Sequence, residues 1–459
     1  MDLWSYIREG MLKHPSQTIC ESETALTYEE MIIAAESLSE SLNGQTCCAI
    51  YCKSELLTAL ALLGCFASGT TAVPLSFRYG HNHCNKILQS VSPSCVITDI
   101  EGEFGIYDIL DSEYISPKKE TAIIMHTSGT SGIPKGAMLG GQSIITNVKD
   151  ILSYFQIDRS DVILISRPLY HCAVLTGELI TALIQGAKII LSSEPFNPLN
   201  LLTTIKEKQV TIFGGTPTLL EALSHFIREP DNISIKKITV SGECLSNSTA
   251  KKIRSSFPNS EIHHVYGLTE ACPRISHLPT NAFDSHPTCV GYPLNSVKIK
   301  IIDNNGNCVA NEKVGTLWVH GKNIMHGYYN NPKATKAVLK NGWLCTGDSA
   351  RITKEGFLQI LGRTDEMIIR AGMNIYPQEI EEEIKKDPRT REVLVQGGKT
   401  GSGGTQIIMK IAGDFKEINE VSALCKHVLP SYQVPSKIEI VESLPKNGTG
   451  KIVRRNKND

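Results

Sequence analysis

The sequence has no surplus of either charge: 46 Lys and Arg stand against 47 Asp and Glu, a formal net charge of −1. A chain so balanced generates no long-range field to steer it toward nucleic acid or an anionic membrane surface, so neither partner is implied. Long apolar runs are missing too. The longest, 57–67, is interrupted by Gly64 and falls well short of the ~20 residues that span a bilayer. The first residues, Met1-Asp2-Leu3-Trp4-Ser5-Tyr6-Ile7-Arg8-Glu9, carry charges where a secretion signal needs an apolar stretch. Of the 14 cysteines, none form a C-x-x-C pair or the even spacing that staples a small fold. Reduced thiols in a cytoplasmic protein are the expectation, with Cys47, Cys48 and Cys52 as small core residues. His81, His83 and Cys84 have no second ligand pair nearby and read as a solvated loop, not a metal site. Internal repeats and low-complexity linkers are absent as well.

What the sequence does have is length and alternation. A chain of 459 residues, 41% apolar, is too long for one ordinary core and implies at least two domains. Over the first two-thirds, short β-branched runs alternate with helical periodicity, which predicts an α/β fold of helix-covered parallel sheets. Strands are expected at 94–99, 162–166, 187–192, 210–213, 237–240 and 261–265. Ile144, Ile145, Val148, Ile151, Leu152 and Phe155 mark the buried face of a helix. After Ser296, closely spaced strands such as 297–302 and 316–320 predict a smaller β-rich subdomain. A second boundary falls near Asp365, giving a large domain over 1–364 and a small α+β domain over 365–459. In the latter, an acidic amphipathic helix is expected over 377–386. Strands at 393–396, 406–411 and 437–441 flank a helix near 415–428. The glycine loop 399–404 reads as a turn.

The most informative stretch is His126-Thr127-Ser128-Gly129-Thr130-Ser131-Gly132-Ile133-Pro134-Lys135-Gly136, which follows an apolar segment. Glycines let backbone N–H groups approach an anion, hydroxyls add donors and the lysine adds charge, so the run reads as a phosphate-gripping loop. At an effective dielectric of about 20, a lysine about 4 Å from a phosphate charge contributes roughly 4 kcal/mol before desolvation. A P-loop NTPase is excluded by the order of residues. Counted from Gly129, Pro134 stands at the second glycine, and Gly136 follows Lys135 where the magnesium-binding Ser or Thr is required.

Further motifs follow in a set order. They are Leu26-Thr27-Tyr28-Glu29-Glu30; Tyr266-Gly267-Leu268-Thr269-Glu270; Gly327-Tyr328-Tyr329-Asn330; and Gly342-Trp343-Leu344-Cys345-Thr346-Gly347-Asp348. Gly362-Arg363-Thr364-Asp365-Glu366-Met367-Ile368-Ile369, Asn374-Ile375-Tyr376-Pro377-Gln378-Glu379-Ile380-Glu381 and Pro445-Lys446-Asn447-Gly448-Thr449-Gly450-Lys451 complete the series. Over nearly its whole length the chain resembles the adenylate-forming superfamily of AMP-dependent acyl-CoA synthetases, stand-alone adenylation enzymes and luciferases.

That resemblance implies ATP-dependent, AMP-forming activation of a carboxylic acid to an acyl-adenylate, with release of pyrophosphate, then transfer to a pantetheine thiol, most simply that of coenzyme A. By resemblance, Thr127, Ser128, Gly129, Thr130 and Lys135 hold the β- and γ-phosphates, Thr269 touches the α-phosphate and Glu270 ligates Mg²⁺. Asp348 and Arg363 bind the ribose, and the adenine lies against Ser241, Gly242, Glu243 and Cys244 and against Tyr266 and Gly267. Lys451 bridges the acid and the α-phosphate, delivered by the small domain and withdrawn by rotation about Asp365. Gly372 lets the thiol arm pass, with Ala371 in place of the glycine many relatives carry. His171 lines the acyl pocket, which Phe213, Gly214, Gly215 and Tyr266 complete, the two glycines leaving room for a ring or chain. Near Cys172 and Ala173 no carboxylate is available for an α-ammonium, so a fatty, short-chain or aryl acid fits better than an α-amino acid. A free-standing adenylation enzyme that loads a carrier protein in trans is the alternative. The chain stops shortly after Lys451, so no fused carrier is expected.

Overall fold

In this computed structural model the described residues are 1–77, 81–99, 104–109, 112–117, 120–127, 134–192, 197–370, 373–399, 405–446 and 452–454. Four strands form the parallel centre of the larger sheet: Val162–Ile165, Ile212–Gly215, Lys237–Val240 and Glu261–Gly267. Val162–Ile165 is a short apolar run, as expected of a strand covered on both faces, whereas Glu261–Gly267 carries two histidines. The register of the four strands aligns Leu164 with Phe213, then Gly214 with Thr239 and Thr239 with His263. Beyond Glu261–Gly267 the direction reverses, and the same hydrogen-bonded path continues antiparallel through Arg274–His277, Cys289–Pro293, Leu358–Arg363, Trp343–Ile352, Gly315–Gly321 and Val297–Ile302. The β-rich part is thus an extension of the parallel sheet, not a separate layer. A seven-stranded sheet carries Lys135–Leu139 beside Ile123–Thr127 and Gly327–Tyr328.

The expected strands are present with small shifts. The run expected at 210–213 forms its ladder over Ile212–Gly215, because Gly214 and Gly215 remain in the sheet where a sequence reading breaks at paired glycines. The helix that buries Ile144, Ile145, Val148 and Ile151 spans Gly141–Tyr154. The 81–84 segment departs from expectation: His81–Val91 is a helix, and Cys84 and Ile87 are buried on it. The periodicity of Cys84, Ile87 and Val91 is amphipathic, and the polar residues between them hid it. Cys47, Cys48 and Cys52 are core residues as read, and all fourteen cysteines are free. No described helix is long and apolar enough to cross a membrane.

A separate apolar cluster is built from Ile368, Ile375, Ile380, Ile384, Val393, Val395 and neighbours up to Leu429. Its helices are Pro377–Ile384 and Ile418–Val428, packed on the strands Thr390–Lys399, Thr405–Gly413 and Lys437–Ile440. Arg454 grips this unit through Glu381, with Nη1 donating to Oε1 at 3.0 Å and Nη2 to Oε2 at 2.5 Å.

Three imidazoles, the buried His263 and His264 and the half-buried His277, resist protonation in the fold. Burial holds His264 down to about 4, His277 to about 4 and His263 to about 3, with the neighbouring His277, Lys237 and Arg274 adding to the effect on His263. A group harder to protonate when folded contributes stability that is complete above its ordinary value of 6.5 and is lost as the pH falls toward 4. For His264 alone this is on the order of 3 kcal/mol by about pH 4. Denaturant unfolding should therefore show stability falling steadily below about pH 6.5, and His264→Asn should make that fall shallower. An unchanged slope in the variant would remove His264 from the account.

Candidate active site

The two ends of the hydroxyl-rich run lie on paired strands. Thr127 ends one strand and Lys135 begins the next, directly opposite it in the antiparallel register. Residues 128–133, and with them Ser128, Gly129 and Thr130, lie outside the described residues. The two ends of the run are thereby fixed. Lys135 Nζ sits 5.4 Å from the centroid of the Tyr328 ring, which belongs to the adjoining strand. A cation–π contact of this kind, between a half-buried lysine and a buried ring, contributes about 1 kcal/mol and holds the ammonium in place without cancelling its charge.

Tyr328 also reaches the second motif. Its hydroxyl donates to Glu270 Oε1 at 2.8 Å, and the Glu270 backbone carbonyl accepts from Met325 N at 2.9 Å. Glu270 and Thr269 stand on a short 3-10 turn, Thr269–Ala271, reached through a tight reversal at Gly267. A Cβ at Gly267 would lie 2.0 Å from the Pro273 carbonyl oxygen, so only glycine permits the chain to fold back there. Leu268 N donates to that same carbonyl at 2.9 Å.

One residue before this reversal, the Tyr266 hydroxyl donates to Asp348 Oδ2. Burial and the adjacent Asp348 carboxylate push the phenol well above its usual value, so it remains a neutral donor. Asp348 and Arg363 are cross-strand partners, and Arg363 Nη1 donates to Asp348 Oδ1 at 3.2 Å and to the Thr346 carbonyl at 2.9 Å. Arg363 Nε lies 3.5 Å from Asp365 Oδ1, tying the pair to the expected hinge. A Cβ at Gly347 would lie 2.7 Å from Arg363 Nη2, so the glycine makes room for the guanidinium. Gly242, with φ +93, turns the chain beside Thr216. Glu243 accepts from the Thr218 hydroxyl at 2.7 Å, and its neighbour Cys244 is exposed.

Residues 7–329 match the family model described as AMP-binding enzyme. The chain belongs to that family. Among curated relatives, the long-chain-fatty-acid–CoA ligase of Escherichia coli O157:H7 is 30% identical over 357 residues, 76% of this chain. The match spans 63% of that relative's length. Feruloyl-CoA synthase of Amycolatopsis sp. is 27% identical over 481 aligned residues, 98% of this chain and 97% of the relative. Among solved structures, O-succinylbenzoate coenzyme A synthetase (MenE) from Bacillus subtilis in complex with AMP superposes with TM-score 0.85 at 26% identity, covering 100% of this chain and 98% of that one. ATP-bound MatB from Rhodopseudomonas palustris shares the fold at TM-score 0.88 and 21% identity, over 98% of this chain and 97% of that one.

In this AMP-binding enzyme the fold brings together Thr127, Lys135, Glu270 and Tyr328 as one group and Tyr266, Asp348 and Arg363 as another. Thr269 and Gly267 lie on the reversal that joins the two. His171 caps the short helix Cys172–Val174, its ring centroid 4.2 Å from that of Tyr170. Cys172 is buried, and burial pushes its thiol up to about 12, with Glu270 close enough to add to the shift. Lys451 and Gly372 lie outside the described residues. On the C-terminal side of Lys451, Val453 N donates to the Pro445 carbonyl at 2.8 Å.

One expectation is corrected. Gly214 and Gly215 do not leave free space. A Cβ at Gly214 would lie 2.5 Å from Glu178 Oε1, and one at Gly215 would lie 2.8 Å from Leu220 Cγ. Both volumes are already filled by other side chains. Sequence reasoning also missed Tyr328, although its motif is plain, because nothing in the residue type announces a bridge from Lys135 to Glu270. It missed the buried Arg167–Glu178 ion pair entirely.

The close approach at Gly267 gives a direct check. Gly267→Ala must move the Pro273 carbonyl or the strand end, at a cost of about 3 kcal/mol. Urea unfolding should show that loss, whereas an unchanged midpoint would mean that the reversal relaxes freely.

Proposed function

We propose that the protein activates a fatty, short-chain or aryl carboxylic acid with ATP and passes the acyl group to the thiol of coenzyme A. A carboxylate oxygen of the acid bonds to the α-phosphorus, the bond from that phosphorus to the bridging oxygen breaks, and pyrophosphate departs. The thiol sulfur then bonds to the acyl carbon, AMP leaves with the electron pair, and the thiol proton passes to solvent.

The observation that carries this reading is the linked pair of polar groups on either side of Gly267. Lys135, Thr127 and the hydroxyl- and glycine-rich residues between them in sequence suit the β- and γ-phosphates, because ammonium, hydroxyl and amide donors match phosphate oxygens. Thr269 supplies a hydroxyl for the α-phosphate. Asp348, oriented by Arg363 and Tyr266, suits two vicinal ribose hydroxyls, with the base against Gly242, Glu243 and Cys244. Glu270 fits a hard cation: one carboxylate oxygen is held by Tyr328, and among the described residues no hydrogen bond takes up the other. Mg²⁺ held there would offset phosphate charge. Tyr328 orients that carboxylate while its ring steadies Lys135. His171 lines the acyl side.

The small unit beyond Asp365 brings Lys451 to the acid and α-phosphate and rotates away to admit the thiol past Gly372. The Arg363–Asp365 contact couples ribose binding to that hinge. The free thiols of all fourteen cysteines support a cytoplasmic setting, since an oxidising compartment favours their pairing.

Acid-dependent exchange of labelled pyrophosphate into ATP tests the first half-reaction. Exchange that needs a carboxylic acid and Mg²⁺ is expected; ADP formation would overturn the reading. Asp348→Asn should raise the KM for ATP about tenfold or more, the scale of a lost charge-assisted hydrogen bond, and an unchanged KM would release Asp348 from the ribose. Lys451→Ala should nearly abolish adenylation and spare thioester formation from a supplied acyl-adenylate. Equal loss of both would contradict the lysine's role.

A further inference from the structure

The Gly214 volume identifies what the acyl group meets. From the turns at Gly242 and Gly267, the sheet face descends to the row of register partners Gly214, Thr239 and His263. Over Gly214 lies Glu178, on the buried π-helical turn Leu175–Ile180, paired with Arg167. The Arg167 and Glu178 side chains are only 9% and 4% exposed. A Cβ at Gly214 would lie 3.1 Å from Arg167 Nη2 as well as 2.5 Å from Glu178 Oε1, so both charges press on the glycine. Beside them, on the same helical turn, a Cβ at Gly177 would lie 3.1 Å from the buried Arg274 Nη2. Arg274 is held by Asn147, whose Oδ1 accepts from its backbone N at 3.0 Å. Farther down, a cavity of about 360 Å³ opens where the central strands Lys237–Val240 and Glu261–Gly267 begin, lined in part by Tyr154, Lys237, Glu261, His263 and His277. His263, at one end of the Gly214 row, also lines that cavity.

We propose that the Arg167–Glu178 pair, seated on Gly214, is the floor of the acyl pocket and restricts the acid to compact ones, short-chain or single-ring. The inference rests on the acid-activating reading above. A long alkyl chain extending past this row has to displace a buried ion pair or lie against its charges, and either is strongly unfavourable. The pair is a poor stabiliser in itself. Glu178 Oε2 and Arg167 Nε find no hydrogen-bond partner among the described residues, so the two side chains meet through one contact where a fork-to-fork pairing has two. Gly214 is the complementary feature, because a Cβ there would require the ends of both side chains to shift. The glycine thus serves the floor and does not widen the pocket.

The test is the chain-length profile of acid-dependent pyrophosphate exchange, measured on the full chain with straight-chain acids from acetate to palmitate and with benzoate. The wild type should show kcat/KM highest for the compact acids and at least about tenfold lower for palmitate, the scale on which pocket length discriminates. The double variant Arg167→Leu/Glu178→Ala removes both charges together and shortens the floor. It should raise the palmitate-to-butyrate ratio of kcat/KM about tenfold or more with the KM for ATP unchanged. Wild-type enzyme that prefers palmitate overturns the inference whether or not the variant folds, as does a folded double variant with an unaltered profile. Both results leave acid activation standing. Absence of exchange with every acid overturns acid activation and this inference together.

Discussion

The close backbone approach at Gly267 is the constraint from which the site follows. Because no Cβ is present, the last parallel strand folds back on Pro273 and the sheet continues antiparallel across a register shift between Tyr266 and Gly267. Tyr266 sits just before the reversal and Thr269 and Glu270 just after it. The continued sheet then carries Asp348 and Arg363 back to the Tyr266 hydroxyl. A single turn therefore fixes the spacing between the part suited to ribose and the part suited to phosphate, and neither depends on a flexible side chain to find the other.

Charge is handled differently at the two depths of the molecule. Near the ends of the hydroxyl-rich run, Lys135 is steadied by the face of Tyr328, an arrangement that leaves its charge available to an anion. Deeper, Arg167 and Glu178 neutralise each other where solvent does not reach. A buried ion pair is weak evidence for stability, because desolvation offsets most of the attraction. Its position over a glycine in the central sheet accords better with a shape requirement than with an energetic one. The small unit beyond Asp365 repeats the theme: Arg454 spans Glu381 and approaches Glu366 Oε2 to 3.7 Å, pinning the end of the chain to the helix Pro377–Ile384.

Much of this was legible in the sequence, and the limits were physical. Continuous β-branched runs identify buried strands because a strand covered on both faces tolerates little else, and Lys237–Val240 was read to the residue. The Gly214-Gly215 pair misled, since glycine usually breaks a strand and here accommodates neighbours within one. The His81–Val91 helix was hidden by polar residues between its apolar positions. The family motifs pointed to Glu270, Asp348 and Arg363, whose partners lie on strands that pair far apart in sequence. Tyr328 and the Arg167–Glu178 pair were not legible, because each matters only through a contact that a third element creates. Local patterning does not encode such contacts.

The central claim is that the acid's own oxygen bonds to the α-phosphorus of ATP. The most direct measurement supplies a carboxylic acid labelled with heavy oxygen in its carboxylate and follows the label by mass spectrometry through one complete turnover to the thioester. The account predicts that one labelled oxygen appears in AMP and none in pyrophosphate. Label retained wholly in the acyl product, or recovered in inorganic phosphate beside ADP, would contradict it.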